Sequence, residues 1–208
     1  MNRFNVLKVI FLILILGLLS GCSKSSGSYY KEGMKYFNNG NYAEAEVNLA
    51  KAIEINPERA EYYINYGMTL IMLEKGDQAL LNFDKAILKK DNAIVNKNNK
   101  LAYRGKGIAF LKAHQYAEAI KQFNTALKID ELSDLNMDIL YYKANAQEAA
   151  GYYKEAAETY SIILEENSKD ADIYSSRAFA YRKLGDTKKS VTDYDQAISL
   201  AKTKYDYY

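Results

Sequence analysis

The sequence predicts an all-α protein, an α-solenoid of stacked helix–turn–helix repeats. The first observation behind this is a recurrence: Gly33 and Gly67, Ala45 and Ala79, Ala52 and Ala86, and Tyr29 and Tyr63 are all separated by one and the same interval. The second is the spacing inside each period. An Ala, a bulky residue four later and an Ala three after that, as in Ala119, Phe123 and Ala126, fall on one face of a helix. The third is composition, at 49% hydrophobic and 26% charged residues in 208, which is globular and long enough for one domain or two small ones.

Before the repeats comes an address. Arg3 and Lys8 are the only charges up to Gly21, and Val9 to Leu19 is an apolar run of 11 residues. A membrane-crossing helix needs about 20, so residues 1–21 read as a signal peptide. Leu19-Ser20-Gly21-Cys22 resembles the bacterial lipobox, and Cys22 is the sole Cys of the chain. The resemblance implies cleavage after Gly21 and a diacylglyceryl thioether on Cys22, with the protein held at the extracytoplasmic side of a bacterial membrane. That is the cell membrane in a monoderm, or the outer membrane in a diderm, where Ser23 in place of Asp carries no retention signal. Lys outnumbers Arg 23 to 5, a bias that fits AT-rich coding in low-GC monoderms. Two or three acyl chains anchor firmly at ~0.8 kcal/mol per buried methylene. Residues 22–28 form the lipidated Cys and a flexible linker, Ser23 to Ser28 spanning ~13 Å, which keeps the folded part near the bilayer.

The repeats then follow in order. Repeat one, about residues 26–59, carries Tyr29, Glu32-Gly33, Tyr36, Gly40, Tyr42, Ala45, Leu49, Ala52 and Pro57. Repeat two, 60–93, carries Tyr63, Tyr66-Gly67, Leu70, Ala79, Phe83 and Ala86, and repeat three, 100–133, carries Tyr103, Gly107, Phe110, Tyr116, Ala119, Phe123 and Ala126. Repeat four, 137–170, is degenerate, with Leu140, Ala144, Gln147, Gly151, Tyr153, Ala156, Tyr160 and Ile163. Repeat five, 171–204, recovers Tyr174, Ala178, Tyr181, Gly185, Ser190, Tyr194 and Ala197. This pattern resembles the tetratricopeptide repeat, a helix–turn–helix unit of about 34 residues. The resemblance implies a right-handed superhelix over residues 29–202, with a tail at 203–208. The small residue at Gly33, Gly67, Gly107, Ala144 and Ala178 lets helices approach closely. Gly40, Gly151 and Gly185 mark the turn within a repeat, and His114 takes that place in repeat three.

The period breaks twice. Gly67 to Gly107 is longer than the interval that separates Gly33 from Gly67, and Ala119 to Ala156 is longer than Ala45 to Ala79. Residues therefore accumulate near 91–100 and 131–138. The Asn- and Lys-rich first insertion reads as a longer loop between repeats.

Composition excludes several functions. Without Arg3 and Lys8 the acidic and basic residues balance at 26 each, which removes the electrostatic term that drives nucleic-acid binding. One Cys and one His build neither a disulfide nor a Cys/His metal site. His114 sits at a turn with no nucleophile to activate. The acid pairs Glu44 with Glu46, Glu165 with Glu166 and Asp193 with Asp195 read as solvated helix faces. No catalytic residue, cofactor site or metal site is expected, and the chain reads as a non-enzyme.

In tetratricopeptide proteins the first helix of each pair lines a groove that takes a partner peptide or helix. Carried over, this places Tyr30, Met34 and Phe37 of repeat one in the groove, with Ile64, Asn65, Met68 and Ile71 of repeat two. Repeat three gives Arg104, Ile108 and Leu111. Tyr141, Asn145 and Glu148 follow from repeat four, and Ser175, Phe179 and Arg182 from repeat five. The first half is apolar and contains Met, suited to adaptable docking of an amphipathic helix; the second is polar. Clamps for chaperone C-termini carry Lys and Asn where this chain has Tyr30 and Met34, a departure from that subtype. The leading reading is a membrane-tethered protein-interaction scaffold for envelope assembly or secretion. The alternatives are a surface lipoprotein for carbohydrate or cell-wall material, or an accessory subunit of an envelope enzyme or transporter. Eleven of the 20 Tyr occupy repeat signature positions, which reads them as core rather than sugar platforms. No polar helix seals the last repeat, which leaves self-association through the C-terminal repeat as a further possibility.

Overall fold

The computed structural model describes residues 24–205, with side chains as far as Lys202. The signal segment and Cys22 lie outside the described residues. Ten α-helices are described: α1 (Ser26–Asn38), α2 (Tyr42–Ile55), α3 (Ala60–Met72), α4 (Gly76–Ala86), α5 (Ala93–Lys112), α6 (Tyr116–Leu127), α7 (Asn136–Ala149), α8 (Tyr153–Glu166), α9 (Ala171–Lys183) and α10 (Thr187–Tyr205). A 3₁₀ turn, Ser133–Leu135, precedes α7. No strand occurs among the described residues. The fold is an all-α solenoid of helical hairpins. Its contacts divide the expected 29–202 stretch into two compact units, one ending at Pro57 and one beginning at Glu58.

The first unit is the hairpin of α1 and α2. Ser25 caps α1, its hydroxyl accepting from Ser28 N at 3.2 Å. Gly33 is where the helices cross: a Cβ there would stand 2.8 Å from Leu49 Cγ, so only Gly allows this approach.

The second unit holds four hairpins. Within it α4 packs on α5, α6 on α7 and α8 on α9, while α3 touches α5 and α5 touches α7. One apolar core runs from Ile64 through Phe83 and Phe123 to Ala146. A second joins Leu140, Ala144, Tyr160, Leu164 and Ile173, so α7 feeds both. Phe83 shows how a junction is built. A Cβ on Gly67 would lie 2.8 Å from its ring, and one on Gly105 of the next hairpin would lie closer still. The ring is thus held between two glycines, of which the sequence pattern marked only Gly67.

The intra-repeat turns adopt the left-handed conformation expected at Gly40, Gly151, Gly185 and His114, the last with φ 58°. In repeat two the position falls on Glu74, φ 60°, and Gly76 instead opens α4. Nothing in the sequence marks Glu74 for this place, because its side chain has no special preference for that region.

The first insertion corrects an expectation. Most of it is helix, not loop: α5 begins at Ala93 and runs for 20 residues. Asn92 caps it, accepting from Val95 N at 3.0 Å. Asn99 then holds Leu88 by both backbone groups, accepting from its N at 2.9 Å and donating to its O at 2.8 Å. Asn96 donates to Asp91 Oδ1 and Glu131 Oε1. Lys100 is fully buried and its Nζ donates to Ile129 O at 2.8 Å, and burial lowers its pKa against the opposing pull of Asp130, Asp134 and Glu131. The two insertions therefore brace each other.

Candidate functional site

The first helices of the hairpins supply the candidate surface, and the structure sorts its expected residues into three groups. Ile64, Ile71 and Ile108 are buried, at 6%, 2% and 6% exposure, inside the main core. This corrects their assignment to an open groove: each points toward the neighbouring helix layer, a direction one helical step from the groove face and indistinguishable from it by sequence spacing alone. Ile71 lines a cleft of about 550 Å³ at the end of α3, together with Ala109, Ala113, Glu74, Asp77 and Lys112.

The second group is engaged internally. Arg104 pairs with Asp138 and lies over the Tyr142 ring at 5.5 Å. Tyr160 is completely buried on α8, and its hydroxyl donates to Asn145 Oδ1 at 3.0 Å with Glu148 Oε2 at 3.3 Å. Asn145 and Glu148, both half-buried, are thus partners of a core tyrosine. Burial, then the adjacent Glu148 carboxylate, pushes the Tyr160 pKa far above the ordinary tyrosine value. Burial likewise raises that of Glu148. Thr159 Oγ1 donates to Gln147 Oε1 at 2.8 Å beside them. Part of the degeneracy of repeat four lies in this network: Gln147 stands where the other repeats carry Tyr36, Leu70, Phe110 and Tyr181, and its buried side chain is satisfied by Thr159.

The third group remains accessible. Tyr30, Met34 and Phe37 on α1, and Asn65 and Met68 on α3, are half-buried, as are Leu111 on α5 and Ser175 on α9. Phe37 meets the Tyr42 ring at 5.5 Å. Tyr141 is 42% exposed on α7. On α9 the half-buried Phe179 meets Tyr153 at 6.3 Å, with the exposed Arg182 at 5.2 Å over its ring. Met72, exposed at the end of α3, extends the Met68 surface and was missed because it falls at the turn that ends the helix. In the second unit the accessible surface thus comprises Met68, Met72 and Leu111, then Tyr141, then Phe179 and Arg182.

Repeat five hides an ion pair. Arg177 Nε and Nη2 donate to the two carboxylate oxygens of Asp193 at 2.7 and 2.9 Å, and Nη1 donates to Ser161 Oγ at 2.9 Å. Asp193 is buried, so it is not the solvated acid its spacing implied. Arg177 also lies over Tyr174 and Tyr181, and the hydrogen bond to Asp193 raises its pKa further.

The terminal helices differ. Tyr62, Ala102, Ile139 and Ile173 are buried at one position of the first helices, and Thr69, Ala109, Ala146 and Ala180 at another. The corresponding residues of α1 are the exposed Ser28 and Lys35. On α10, Val191 and Ile198 are 52% and 53% exposed, whereas their counterparts on α8, Ala157 and Leu164, are covered at 4% and 6%.

Among the described residues no group of acids, His or Cys is arranged to hold a metal, and no helix is long and apolar enough to cross a membrane. What the arrangement offers is a ridged helical surface with thioether and aromatic side chains. Comparison with known families agrees with that architecture. Models described as tetratricopeptide repeat match residues 26–59, 104–172 and 171–204, together more than half of the chain. The chain is a tetratricopeptide-repeat protein. Its sequence is 27% identical over 190 residues to the Hsp70-Hsp90 organizing protein of Triticum aestivum, covering 78% of this chain and 33% of that one. It is 32% identical over 94 residues to a TPR repeat-containing protein of Methanocaldococcus jannaschii, covering 45% of this chain and 16% of that one. The chain therefore spans a third or less of the curated relatives it matches. Among solved structures it resembles MamA from Desulfovibrio magneticus, with TM-score 0.74, 16% identity and coverage of 87% and 97%. A further MamA crystal structure matches with TM-score 0.72, 19% identity and coverage of 84% and 97%. At such identities the likeness concerns the tetratricopeptide fold alone.

Proposed function

We propose that this tetratricopeptide protein is a membrane-tethered interaction scaffold, lipid-modified at Cys22 and held at the extracytoplasmic face of a bacterial membrane. There it positions a protein partner in envelope assembly or secretion. The observation that carries the partner-binding part is the accessible surface of Met68, Met72 and Leu111 on the first helices, beside the cleft over Ile71. Flexible thioether and aliphatic side chains on a fixed helical frame suit an amphipathic helix or apolar peptide. Tyr30 and Met34, in place of the Lys and Asn of a chaperone clamp, argue against an acidic C-terminal peptide as the ligand.

A photoreactive residue at Met72 in living cells is expected to trap one discrete protein, while the same residue at the still more open Leu81 of α4 traps none. Equal yields from both positions, or none from Met72, reject the reading. The tether is tested separately. Labelled palmitate is expected to enter the wild-type chain and not Cys22→Ser, and unlabelled wild type rejects the anchor. The exposed Val191 and Ile198 on α10 favour association through the C-terminal end. Concentration-dependent mass that Ile198→Asp abolishes is the expected sign, and a constant monomer mass removes it.

A further inference from the structure

We propose that the insertion between the second and third hairpins, Leu88 to Lys97, is a second membrane contact that lays its tip on an anionic lipid surface. The segment is rigid. Asn99 grips Leu88, Asn92 caps α5, Asn96 ties Asp91 to Glu131, and Lys100 anchors the base at Ile129 O. This frame presents apolar and cationic side chains outward. Ile94, at 76% exposure, is the most exposed of the large apolar residues described, and Leu88 is 42% exposed. Lys89, Lys90 and Lys97 are exposed around them. None of the three forms an ion pair among the described residues. The segment's one acid, Asp91, is held by Asn96. Ile94 and Lys97 lie one turn apart on the same helix.

Aliphatic side chains ringed by cations are the pattern of an interfacial contact, where the chain enters the acyl boundary and the ammonium groups meet phosphate headgroups. The occupant follows from what the tip lacks. It has no aromatic ring for base stacking, which single-stranded nucleic acids require. A bilayer, unlike a folded protein partner, needs no shape match to such a tip. The inference deepens the membrane-tethered reading above without depending on lipid modification.

The test uses the full chain in a Cys22→Ser background, with a polarity-sensitive fluorophore on Ile94→Cys or, as control, on Leu81→Cys, which is 62% exposed on α4. With phosphatidylglycerol vesicles at low salt the label at 94 is expected to shift to the blue and brighten at least threefold. The response should fall by more than half in 0.5 M NaCl. It should vanish when Lys89, Lys90 and Lys97 are all changed to Glu, with helical circular dichroism unchanged. No response at 94, an equal response on phosphatidylcholine, or an equal response at 81 overturns the proposal. So does a response to polyglutamate that exceeds the one to vesicles, which would mark an acidic protein surface instead. Because Cys22 is absent from these chains, a negative result at 94 leaves the anchor to the palmitate experiment, and the reverse holds as well.

Discussion

Repeats two and three hold together differently from repeats four and five. In the former, Phe83 and Phe123 fill the space left by Gly67, Gly105 and Gly107, and the middle of each junction is apolar. In the latter, the aromatic at the same repeat position is Tyr160, whose hydroxyl brings in Asn145 and Glu148, and the next junction carries Arg177, Ser161 and Asp193. The same backbone plan is thus specified once by volume and once by pairing. A core built on volume tolerates exchange of one hydrocarbon for another. A core built on pairing tolerates it poorly, since each polar atom removed strands another.

That contrast is most sharply broken at Asp193. Asp193→Ala keeps the helix but leaves the half-buried Arg177 without its carboxylate, an expected loss of about 3 kcal/mol in urea unfolding. Replacing both members by apolar residues, Arg177→Met with Asp193→Leu, is expected to restore most of it; failure of the double variant to recover would show that shape matters there too. Phe83→Ala is expected to cost about 3–5 kcal/mol as a cavity, yet Ile139→Leu in the same core should cost less than about 1.5 kcal/mol. Tyr160→Phe removes one oxygen and should cost about 0.5–1.5 kcal/mol by taking the hydroxyl from the half-buried Asn145. A cost near zero would mean that the hydroxyl network does not hold repeat four together.

Smaller effects refine the comparison. His114→Gly and Glu74→Gly are expected to stabilise by roughly 0.5–1 kcal/mol, because both positions are left-handed and Gly adopts that region without the Cβ penalty. For Glu148, burial raises the folded-state pKa above the ordinary carboxylate value of 4.5. The protonated form is therefore favoured on folding, and that contribution is fully present below pH 4.5 and lost as pH rises through the raised value. Glu148→Gln should accordingly unfold at higher temperature than wild type at neutral pH, with the gap closing in acid. A gap that widens in acid would reverse the assignment.

Much of this frame was legible in sequence. The recurrence located Gly33, Gly67 and Gly107 and the bulky residues they face, because those contacts lie within one hairpin and repeat at fixed spacing. The turn at His114 was legible for the same reason. The contacts that cross between hairpins were not. Gly105 on α5 touches Phe83 on α4, Arg177 on α9 reaches back to Ser161 on α8, and neither pairing is part of the period. The insertion at 91–100 was read as loop because Asn favours turns; tertiary bonds from Asn92, Asn96, Asn99 and Lys100 override that preference. On the candidate surface, Met34, Met68 and Leu111 are half-buried while Ile64, Ile71 and Ile108 are core. Helix spacing places both sets within one step of each other, and only the neighbouring helix decides between them.

Consider finally the polar residues Ser28 and Lys35 on α1 and the uncovered Val191 and Ile198 on α10. A repeat array lengthens by duplicating a unit, and a new unit survives only where the old end can accept it. Here the first helix is written as a stop, since any hairpin added before it would have to bury Lys35. The last leaves two aliphatic side chains, Val191 and Ile198, that a hairpin grafted after it would cover. Growth of this gene by duplication, or deliberate grafting of repeats onto the protein, is therefore directional, and the C-terminal side is the one that can still be extended.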